Sequence, residues 1–218
     1  MGKKTALIAG ATGLVGGKLL ELLLQDPYYE EVIVLTRKPM EGKSAKLKSL
    51  TVDFERLEEY APRMTADDIF CCLGSTMKKA GSKEKFRKVD YDYPLLIAHL
   101  AKRNNAKQYL LISALGADKG SSIFYNRVKG EAEEAIDTVG YSSYHIFRPA
   151  LLMGQREESR PGESAAQVFF KIFGFLFIGP LKKYKAIDAI KVARAMHTIA
   201  KENRPGRHIH ESKALQNY

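Results

Sequence analysis

The sequence predicts an α/β fold with a doubly wound parallel sheet and a small C-terminal extension. Apolar runs of strand length alternate along the chain with amphipathic stretches of helix length, a pattern typical of parallel sheets. A glycine-rich turn follows the first apolar run, and 218 residues are enough to bury one continuous core. We therefore expect a single domain over residues 1–218, with a core of about 1–150 and a C-terminal portion of about 151–218.

The first predicted strand, residues 3–9, leads into a turn with glycines at positions 10, 13 and 16 and then into an amphipathic helix. At this spacing one glycine permits the tight turn, one admits a pyrophosphate and one lets helix and strand pack closely. The helix N-terminus adds free N–H groups. The alternative is a glycine-rich turn in which the glycines are needed only for steric reasons and bind no ligand. The pattern favours a dinucleotide site, and the expected contacts are Gly10, Thr12, Gly13, Leu14, Val15 and Gly16.

The second strand, residues 31–37, ends about twenty residues after the glycine turn, where this fold places the adenosine ribose. An acidic residue there would bind the 2′-hydroxyl of NAD, but the chain has Arg37 and Lys38 instead. A guanidinium forms two charge-assisted hydrogen bonds with a 2′-phosphate, whereas a carboxylate repels it. We therefore predict NADP(H) as the cofactor. The alternative is that the two residues belong to an ordinary basic loop.

A polar loop or ragged helix over 43–48, a short third strand over 50–53 and a short helix over 54–60 are expected next. Asp53 is placed to accept a hydrogen bond from the adenine amino group, to cap the following helix, or both.

The fourth strand, residues 67–73, has the apolar character of a central parallel strand. Small residues follow it and let the backbone approach a cofactor. We expect Leu73, Gly74 and Ser75 to line the cofactor site at the end of this strand.

A tyrosine and a lysine four residues apart, Tyr125 and Lys129, follow the fifth strand, residues 109–112. On a helix this spacing puts both side chains on one face. A free phenol titrates near pH 10, and lowering its pKa to about 7 takes roughly 4 kcal/mol from a nearby cation. We therefore predict Tyr125 as a proton donor and Lys129 as the cation, which also binds the nicotinamide ribose. Ser113, at the strand end, would hold the reacting oxygen. The alternative is that all three are structural.

The sixth strand, residues 144–149, brings Arg148 and Pro149 to the nicotinamide end of the sheet. The residues that follow, 155–163, are charged and rich in turn formers, which is typical of a loop and makes them a candidate lid.

The apolar segment 168–181 is too short, and too interrupted by Lys171, to span a membrane. This segment could belong to the ordinary core, form a wall of the substrate pocket, or be a docking site for a protein partner. A helix over 188–200, capped by Asp188, and a last short strand within 208–218 complete the expected elements.

Composition excludes several classes of protein. The only cysteines, Cys71 and Cys72, are adjacent in a strand and point to opposite faces, so they form no disulfide framework. With no leader before the first strand, we expect a reducing, cytoplasmic location. The net charge of +10 suits a polyanionic partner, but nucleic acid is a minor hypothesis because no zinc-finger spacing or aromatic and basic platform is present. The histidines near the tail lack metal-ligand spacing, so no metal is expected.

With these residues placed, the chain resembles an atypical short-chain dehydrogenase/reductase, and within that superfamily it is similar to the Tat-interacting (metastasis-suppressor) oxidoreductase-like family. The resemblance covers nearly the whole chain and is carried by 70–76 (FCCLGST), 89–93 (VDYDY), 116–119 (GADK), 128–131 (VKGE) and 158–163 (ESRPGE). It implies NADP(H) binding in a Rossmann domain. It implies no particular substrate. The family often has two serines at the end of the fifth strand, whereas here Ala114 follows Ser113.

Two functions follow from these observations. The first is an NADPH-dependent reductase of a small carbonyl compound, with hydride transfer and a tyrosine proton donor. The alternative is a cofactor-gated regulatory or binding protein with little or no turnover, since members of the family are described as regulators of transcription and nuclear import as well as inferred reductases. The intact Tyr125 and Lys129 pair favours the first, because a pure sensor needs no proton donor.

Overall fold

The computed structural model describes residues 3–42, 44–153 and 186–218. The strands in these ranges are β1 (Lys4–Ala9), β2 (Tyr29–Thr36), β3 (Leu47–Thr51), β4 (Asp68–Cys71), β5 (Gln108–Ile112), β6 (Ser143–Arg148), β7 (Leu152–Met153), β8 (Ile187–Asp188) and β9 (Gly206–Glu211). Seven of them form one sheet in the order β3-β2-β1-β4-β5-β6-β9, with parallel pairing throughout. β7 pairs with β8 in a separate small sheet. The doubly wound topology predicted from the sequence is confirmed.

The helices of the described residues are α1 (Leu14–Gln25), α2 (Met77–Ala80), α3 (Lys83–Arg87), α4 (Tyr93–Arg103), α5 (Phe124–Asp137), α6 (Ala189–Ala200) and α7 (Ser212–Leu215). A 3₁₀ segment, Phe54–Arg63, follows β3, and a π-helical turn, Lys88–Asp92, joins α3 to α4. No helix in the described ranges is long and apolar enough to cross a membrane. The predicted lid, 155–163, and the apolar segment 168–181 lie outside the described residues.

The sheet lies between two helical layers. α1 and α6 cover one face, where Ile8 and Phe70 are buried, and α4, α5 and the 3₁₀ segment cover the other, where Leu7 lies. Because neighbouring residues of a strand point to opposite faces, Cys71 enters one core and Cys72 packs against the other. Both thiols are free, as the sequence predicts.

Two elements differ from their predicted bounds for local reasons. β3 begins at Leu47, inside the stretch expected to be a loop, because Leu47 pairs with Val32 on β2 and an edge strand tolerates polar neighbours. Helical spacing of apolar residues predicts one long helix with a packing face before the fifth strand, carrying Val89, Tyr93, Leu96, Ile97 and Leu100. In the structure a π-helical turn interrupts this helix just ahead of Pro94. Proline has no N–H to continue the usual ladder, and it is accepted here only because it occupies the first turn of α4.

Two predicted helix caps are present. The Asp53 carboxylate accepts a hydrogen bond of 3.0 Å from the Glu55 N–H, and the Asp188 carboxylate accepts one of 3.1 Å from the Ile190 N–H. Each satisfies a donor that the first turn leaves free. The second cap starts α6, which leads to β9. The described C-terminal residues are thus part of the main sheet and its core.

Candidate active site

The turn between β1 and α1 is built so tightly that only glycine fits at its first and last positions. Gly10 has a φ of +87°, and a Cβ atom there would lie 2.5 Å from the Cys72 carbonyl oxygen. A Cβ atom on Gly16 would lie 2.2 Å from the Gly10 carbonyl oxygen. A distance under about 3 Å to backbone cannot be relieved by a side-chain movement. The turn therefore packs directly on the end of β4, as the close packing of a dinucleotide turn requires.

The N-terminus of α1 is left open for an anion. Its cap residue, Gly13, makes no side-chain capping bond, and no acidic residue lies in the first turn. Thr12 and Gly13 are exposed, Leu14 is half-buried, and Val15 and Gly16 are buried. Free N–H groups and the positive end of the helix dipole at this point fit a pyrophosphate. The cradle therefore suits the cofactor that the glycine spacing predicts.

Arg37 and Lys38 lie directly after the carboxyl end of β2, and both are exposed. Neither side chain has a hydrogen bond or ion pair with another described residue. The Thr36 hydroxyl donates a hydrogen bond of 2.8 Å to the Lys38 carbonyl oxygen and fixes the turn between strand and loop. Two unpaired cations thus stand at the predicted ribose position. Asp53 is used locally: it caps the 3₁₀ segment and lies 3.6 Å from the Arg56 Nε.

The segment after β4 continues alongside the glycine turn. The Cys72 N–H donates a hydrogen bond of 2.8 Å to the Ala9 carbonyl oxygen, which extends the pairing beyond β4. Leu73 is half-buried against the core, and Gly74 is exposed. The Ser75 N–H donates a hydrogen bond of 2.8 Å to Asp90 Oδ2. This last bond fixes the segment to the π-helical turn.

Lys129 is a buried cation with one carboxylate partner. Its side chain is 6% exposed, and its Nζ lies 2.8 Å from Oδ1 of Asp90, which is fully buried. Burial lowers the pKa of Lys129, but the Asp90 carboxylate outweighs it, so the pKa stands above its ordinary value. A Cβ atom on Gly74 would lie 3.6 Å from the Nζ, in ordinary van der Waals contact, so the ammonium lies directly beside this glycine. The ammonium is therefore charged and held in place beside the segment 73–75, which is predicted to line the cofactor site.

Tyr125 lies one turn before Lys129 on α5. Its ring packs against Phe86, with centroids 5.3 Å apart. Its hydroxyl has no hydrogen bond to any residue in the described ranges, and the phenol is close enough to Lys129 for the two charges to interact. Tyr125 thus has a packed ring and a hydroxyl that is free of hydrogen bonds within the described ranges.

Ser113 is oriented differently from the sequence expectation. Its hydroxyl is buried and donates a hydrogen bond to Oε1 of Glu133, which is 1% exposed. Arg148 holds the same carboxylate with two bonds, 3.0 Å from Nε to Oε1 and 2.5 Å from NH2 to Oε2. Because a hydroxyl has one proton to donate, Ser113 has none left for a substrate oxygen. Pro149 is buried next to this network, and its carbonyl oxygen accepts a hydrogen bond of 2.9 Å from the Leu115 N–H.

Two site residues were not found from the sequence. Glu133 comes one turn after Lys129 on α5, and Asp90 lies in 89–93, where the spacing of the apolar residues indicates a packing face and assigns the acid no role. In both cases the available signal was an acid at a position whose helical neighbours are buried. A cavity of about 370 Å³ opens beyond Glu133, lined in part by Arg148 and Arg207, but Tyr125 and Lys129 do not line it.

Comparisons with known proteins agree with this geometry. A family profile described as NAD(P)H-binding matches residues 10–169, and the chain belongs to that family. The protein HTATIP2 of Rattus norvegicus is 39% identical over 200 residues, which cover 90% of this chain and 81% of the rat protein. The chain is an atypical short-chain dehydrogenase/reductase of the HTATIP2-like group. Within this group, the protein named fmp52, mitochondrial, of Aspergillus clavatus is 36% identical over 86% of this chain and 83% of its own length.

Solved structures show the same fold at low sequence identity. The enzyme WbmH of Bordetella bronchiseptica, solved in complex with NAD+, has a TM-score of 0.71 at 15% identity, covering 96% of this chain and 75% of its own. A UDP-N-acetylglucosamine 4-epimerase from Methanobrevibacter ruminantium M1, solved with UDP-N-acetylmuramic acid, has a TM-score of 0.72 at 15% identity, covering 97% of this chain and 77% of its own. These structures show that this HTATIP2-like chain has the Rossmann fold, and its match to the NAD(P)H-binding family is what indicates a pyridine nucleotide as the ligand.

Proposed function

We propose that the protein is an NADPH-dependent reductase of a small carbonyl compound, with Tyr125 as the proton donor. The observation that supports it best is the buried ion pair of Lys129 with Asp90, in which Lys129 lies beside Gly74 and close enough to Tyr125 for their charges to interact. A buried charge is costly unless an opposite charge or hydrogen bonds compensate it. Here the Asp90 carboxylate keeps Lys129 charged, and the charged Lys129 can stabilise a phenolate at Tyr125.

Bound NADPH supplies the hydride. The Tyr125 hydroxyl delivers a proton to the carbonyl oxygen of the substrate as that oxygen becomes negative. Lys129 stabilises the resulting phenolate, because moving the pKa of a phenol from about 10 to 7 takes roughly 4 kcal/mol of electrostatic stabilisation. Ser113 orients the substrate oxygen only if its hydroxyl leaves Glu133, so the proton transfer itself rests on Tyr125.

NADP(H) is preferred over NAD(H) in this proposal because Arg37 and Lys38 stand exposed and unpaired, within the described residues, at the end of β2. The 2′-phosphate is the only part of the cofactor that distinguishes the two nucleotides, and a guanidinium pairs with it directly.

The second candidate function is a cofactor-gated binding protein with little turnover. The orientation of Ser113 favours it, because the hydroxyl expected to polarise a substrate is committed to Glu133 and Arg148. In such a protein, binding of the nucleotide would control binding of a partner, and the Tyr125 phenol would take no part in catalysis.

Turnover of NADPH with a panel of aldehydes, ketones and quinones separates the two functions. Tyr125→Phe removes the proton and keeps the ring against Phe86, so the reductase proposal expects NADPH binding to survive while turnover falls by about 10²- to 10⁴-fold. Tyr60→Phe, the same change on the 3₁₀ segment, is the matched control and should act like the wild type. If wild type and Tyr125→Phe oxidise NADPH equally slowly with every compound, the binding protein is the better proposal.

A cytoplasmic location belongs to the same proposal and rests on the sequence only. The fungal relatives are named as mitochondrial proteins. Fluorescence microscopy of the chain with a C-terminal tag tests it: an even cytoplasmic signal supports the proposal, and a signal that follows a mitochondrial dye contradicts it.

A further inference from the structure

We propose that the outer edge of β9 binds the same edge of a second copy of this chain, in antiparallel register centred on Ile209. β9 is the last strand of the sheet, and within the described ranges no strand pairs with its outer side. The two copies would thereby join their sheets into one continuous sheet.

The backbone of β9 shows which groups face outward. The Gly206 N–H donates a hydrogen bond of 2.8 Å to the Ser142 carbonyl oxygen, so the peptide groups of Gly206 face β6. In a parallel pair the residues of a strand alternate between facing the partner and facing away. The groups of His208 and His210 therefore also face β6, and those of Arg207, Ile209 and Glu211 face outward.

These three outward-facing residues are self-complementary. Placing Ile209 opposite the Ile209 of a second copy makes it a hydrogen-bonded antiparallel pair, and Arg207 then falls opposite Glu211 on either side. All three residues form hydrogen-bonded pairs, so no outward peptide group between them is left without a partner. A shift of register by one residue would break this match.

The side chains match in the same register. Arg207, Ile209 and Glu211 share the sheet face that α5 covers, as the distance of 3.7 Å between Arg207 Nε and Asp137 Oδ2 shows. Ile209 is 41% exposed, a large apolar side chain at the centre of a row that is otherwise charged. Pairing of the two copies covers Ile209 and sets Arg207 of each copy beside Glu211 of the other, an anion whose Oε1 also lies 3.3 Å from Arg148 NH1 within its own chain. Edge strands usually repel a second copy through like charges, and this edge does the opposite.

The interface is small, so the association should be weak and depend on concentration. A strand pair of this length lies at the low end of specific interfaces, and a dissociation constant on the order of 10 µM is expected. Sedimentation velocity over a concentration series on both sides of that value should show a monomer becoming a dimer. A wild-type protein that stays monomeric throughout the series overturns the proposal.

Two charge variants test the register, and a mixture of the two distinguishes a loss of pairing from a failure to fold. Arg207→Glu makes both ends of the row acidic, and Glu211→Arg makes both ends basic. Each variant alone should dimerise at least roughly tenfold more weakly than the wild type, because like charges then stand opposite each other. An equimolar mixture should recover the dimer, since every acidic end now meets a basic one. If the mixture associates no better than its components while circular dichroism shows both to be folded, the register is wrong.

Ile209→Pro provides an independent check on the backbone pairing. Its N–H faces outward and has no partner within the described part of the chain, so proline removes no hydrogen bond of the monomer. The dimer should be lost while NADPH binding and the unfolding temperature stay near wild type. A dimer that persists in this variant contradicts pairing through the edge of β9.

Discussion

The buried charge of Lys129 depends on the carboxylate of Asp90. The same carboxylate accepts a hydrogen bond from the Ser75 N–H, so a single side chain links the segment after β4 to the face of α5 that carries Lys129. Asp90 has no contact with a reacting atom in the proposed reaction. Its function is to keep Lys129 charged and in place, which makes it a positioning residue.

Replacing Asp90 with asparagine should destabilise the protein and weaken its activity together. The change leaves Lys129 buried without a counter-charge, a loss of about 3 kcal/mol or more in the free energy of unfolding, measured with urea. Burial then lowers the pKa of Lys129, so the pH profile of turnover should shift as well. Asp92→Asn, an exposed change two residues away, is the control and should do neither. An unchanged unfolding curve for Asp90→Asn would contradict the assigned ion pair.

Replacing Arg37 with alanine should weaken NADPH binding selectively. A charge-assisted hydrogen bond is worth about 1.5–3 kcal/mol, which corresponds to roughly 10- to 150-fold in affinity. NADH has no 2′-phosphate and should bind as before. Fluorescence titration of both nucleotides measures the difference, with Arg63→Ala, an exposed arginine on the 3₁₀ segment, as the control. Equal binding of NADPH and NADH by the wild type would refute the assignment.

At the scale of single elements, the start of α1 has two adjacent glycines, of which Gly17 has room for a methyl group and Gly16 has none. A Cβ atom on Gly16 would meet the Gly10 backbone at 2.2 Å, whereas one on Gly17 would lie 3.4 Å from the Ala11 carbonyl oxygen. We expect Gly16→Ala to lose about 1–3 kcal/mol of stability and to weaken NADPH binding, because the turn must shift. Gly17→Ala should be neutral or stabilising by up to about 1 kcal/mol, as alanine favours the helix. Urea unfolding and nucleotide titration of both variants check this, and equal effects would argue against the tight turn.

The strand pair β6 and β9 carries a stack of histidines on the face opposite Ile209. His145 Nδ1 lies 3.0 Å from His210 Nε2, and the rings of His145 and His208 stack with centroids 5.0 Å apart. Burial, with the charges of the neighbouring histidines and Arg204, lowers the pKa of His145 to about 3 and that of His210 to about 4. Both rings are therefore neutral in the folded protein at physiological pH.

This stack should make the protein less stable in acid. In the unfolded chain each histidine takes up a proton near pH 6.5, while the folded protein resists protonation until the pH reaches about 4 to 3. The unfolded state therefore binds more protons in that window, and the free energy of unfolding falls as the pH falls through it. Urea unfolding between pH 7.5 and pH 4.5 should show a steeper loss for the wild type than for His145→Gln. His99→Gln, which changes an exposed histidine, should keep the wild-type slope; identical slopes in all three would contradict the prediction.

At the scale of the whole molecule, the sequence predicted the parts of the fold that depend on local pattern. The alternation of strands and helices, the glycine turn and the Asp53 and Asp188 caps follow from periodicity and capping chemistry over a few neighbouring residues. The partners of Ser113 and Lys129 could not be predicted in this way. Glu133 and Asp90 reach them from a helix and a π-helical turn whose placement depends on packing far along the chain, and the spacing of Tyr125 and Lys129 says nothing about which acid stands behind them.

Because β9 is synthesised after every other strand of the sheet, β6 receives its neighbour on that side only when Glu211 has left the ribosome. Each strand of this sheet after β1 pairs with a strand that precedes it in the chain, but β6 and β9 are separated by a longer stretch of chain than any other neighbouring strands except β1 and β4. Until then, the edge of β6 that carries Tyr144 and Ile146 has no neighbouring strand, and unpaired strand edges are sites of aggregation in a growing chain. Completion of the sheet beside β6 therefore depends on the synthesis of the whole stretch between β6 and β9.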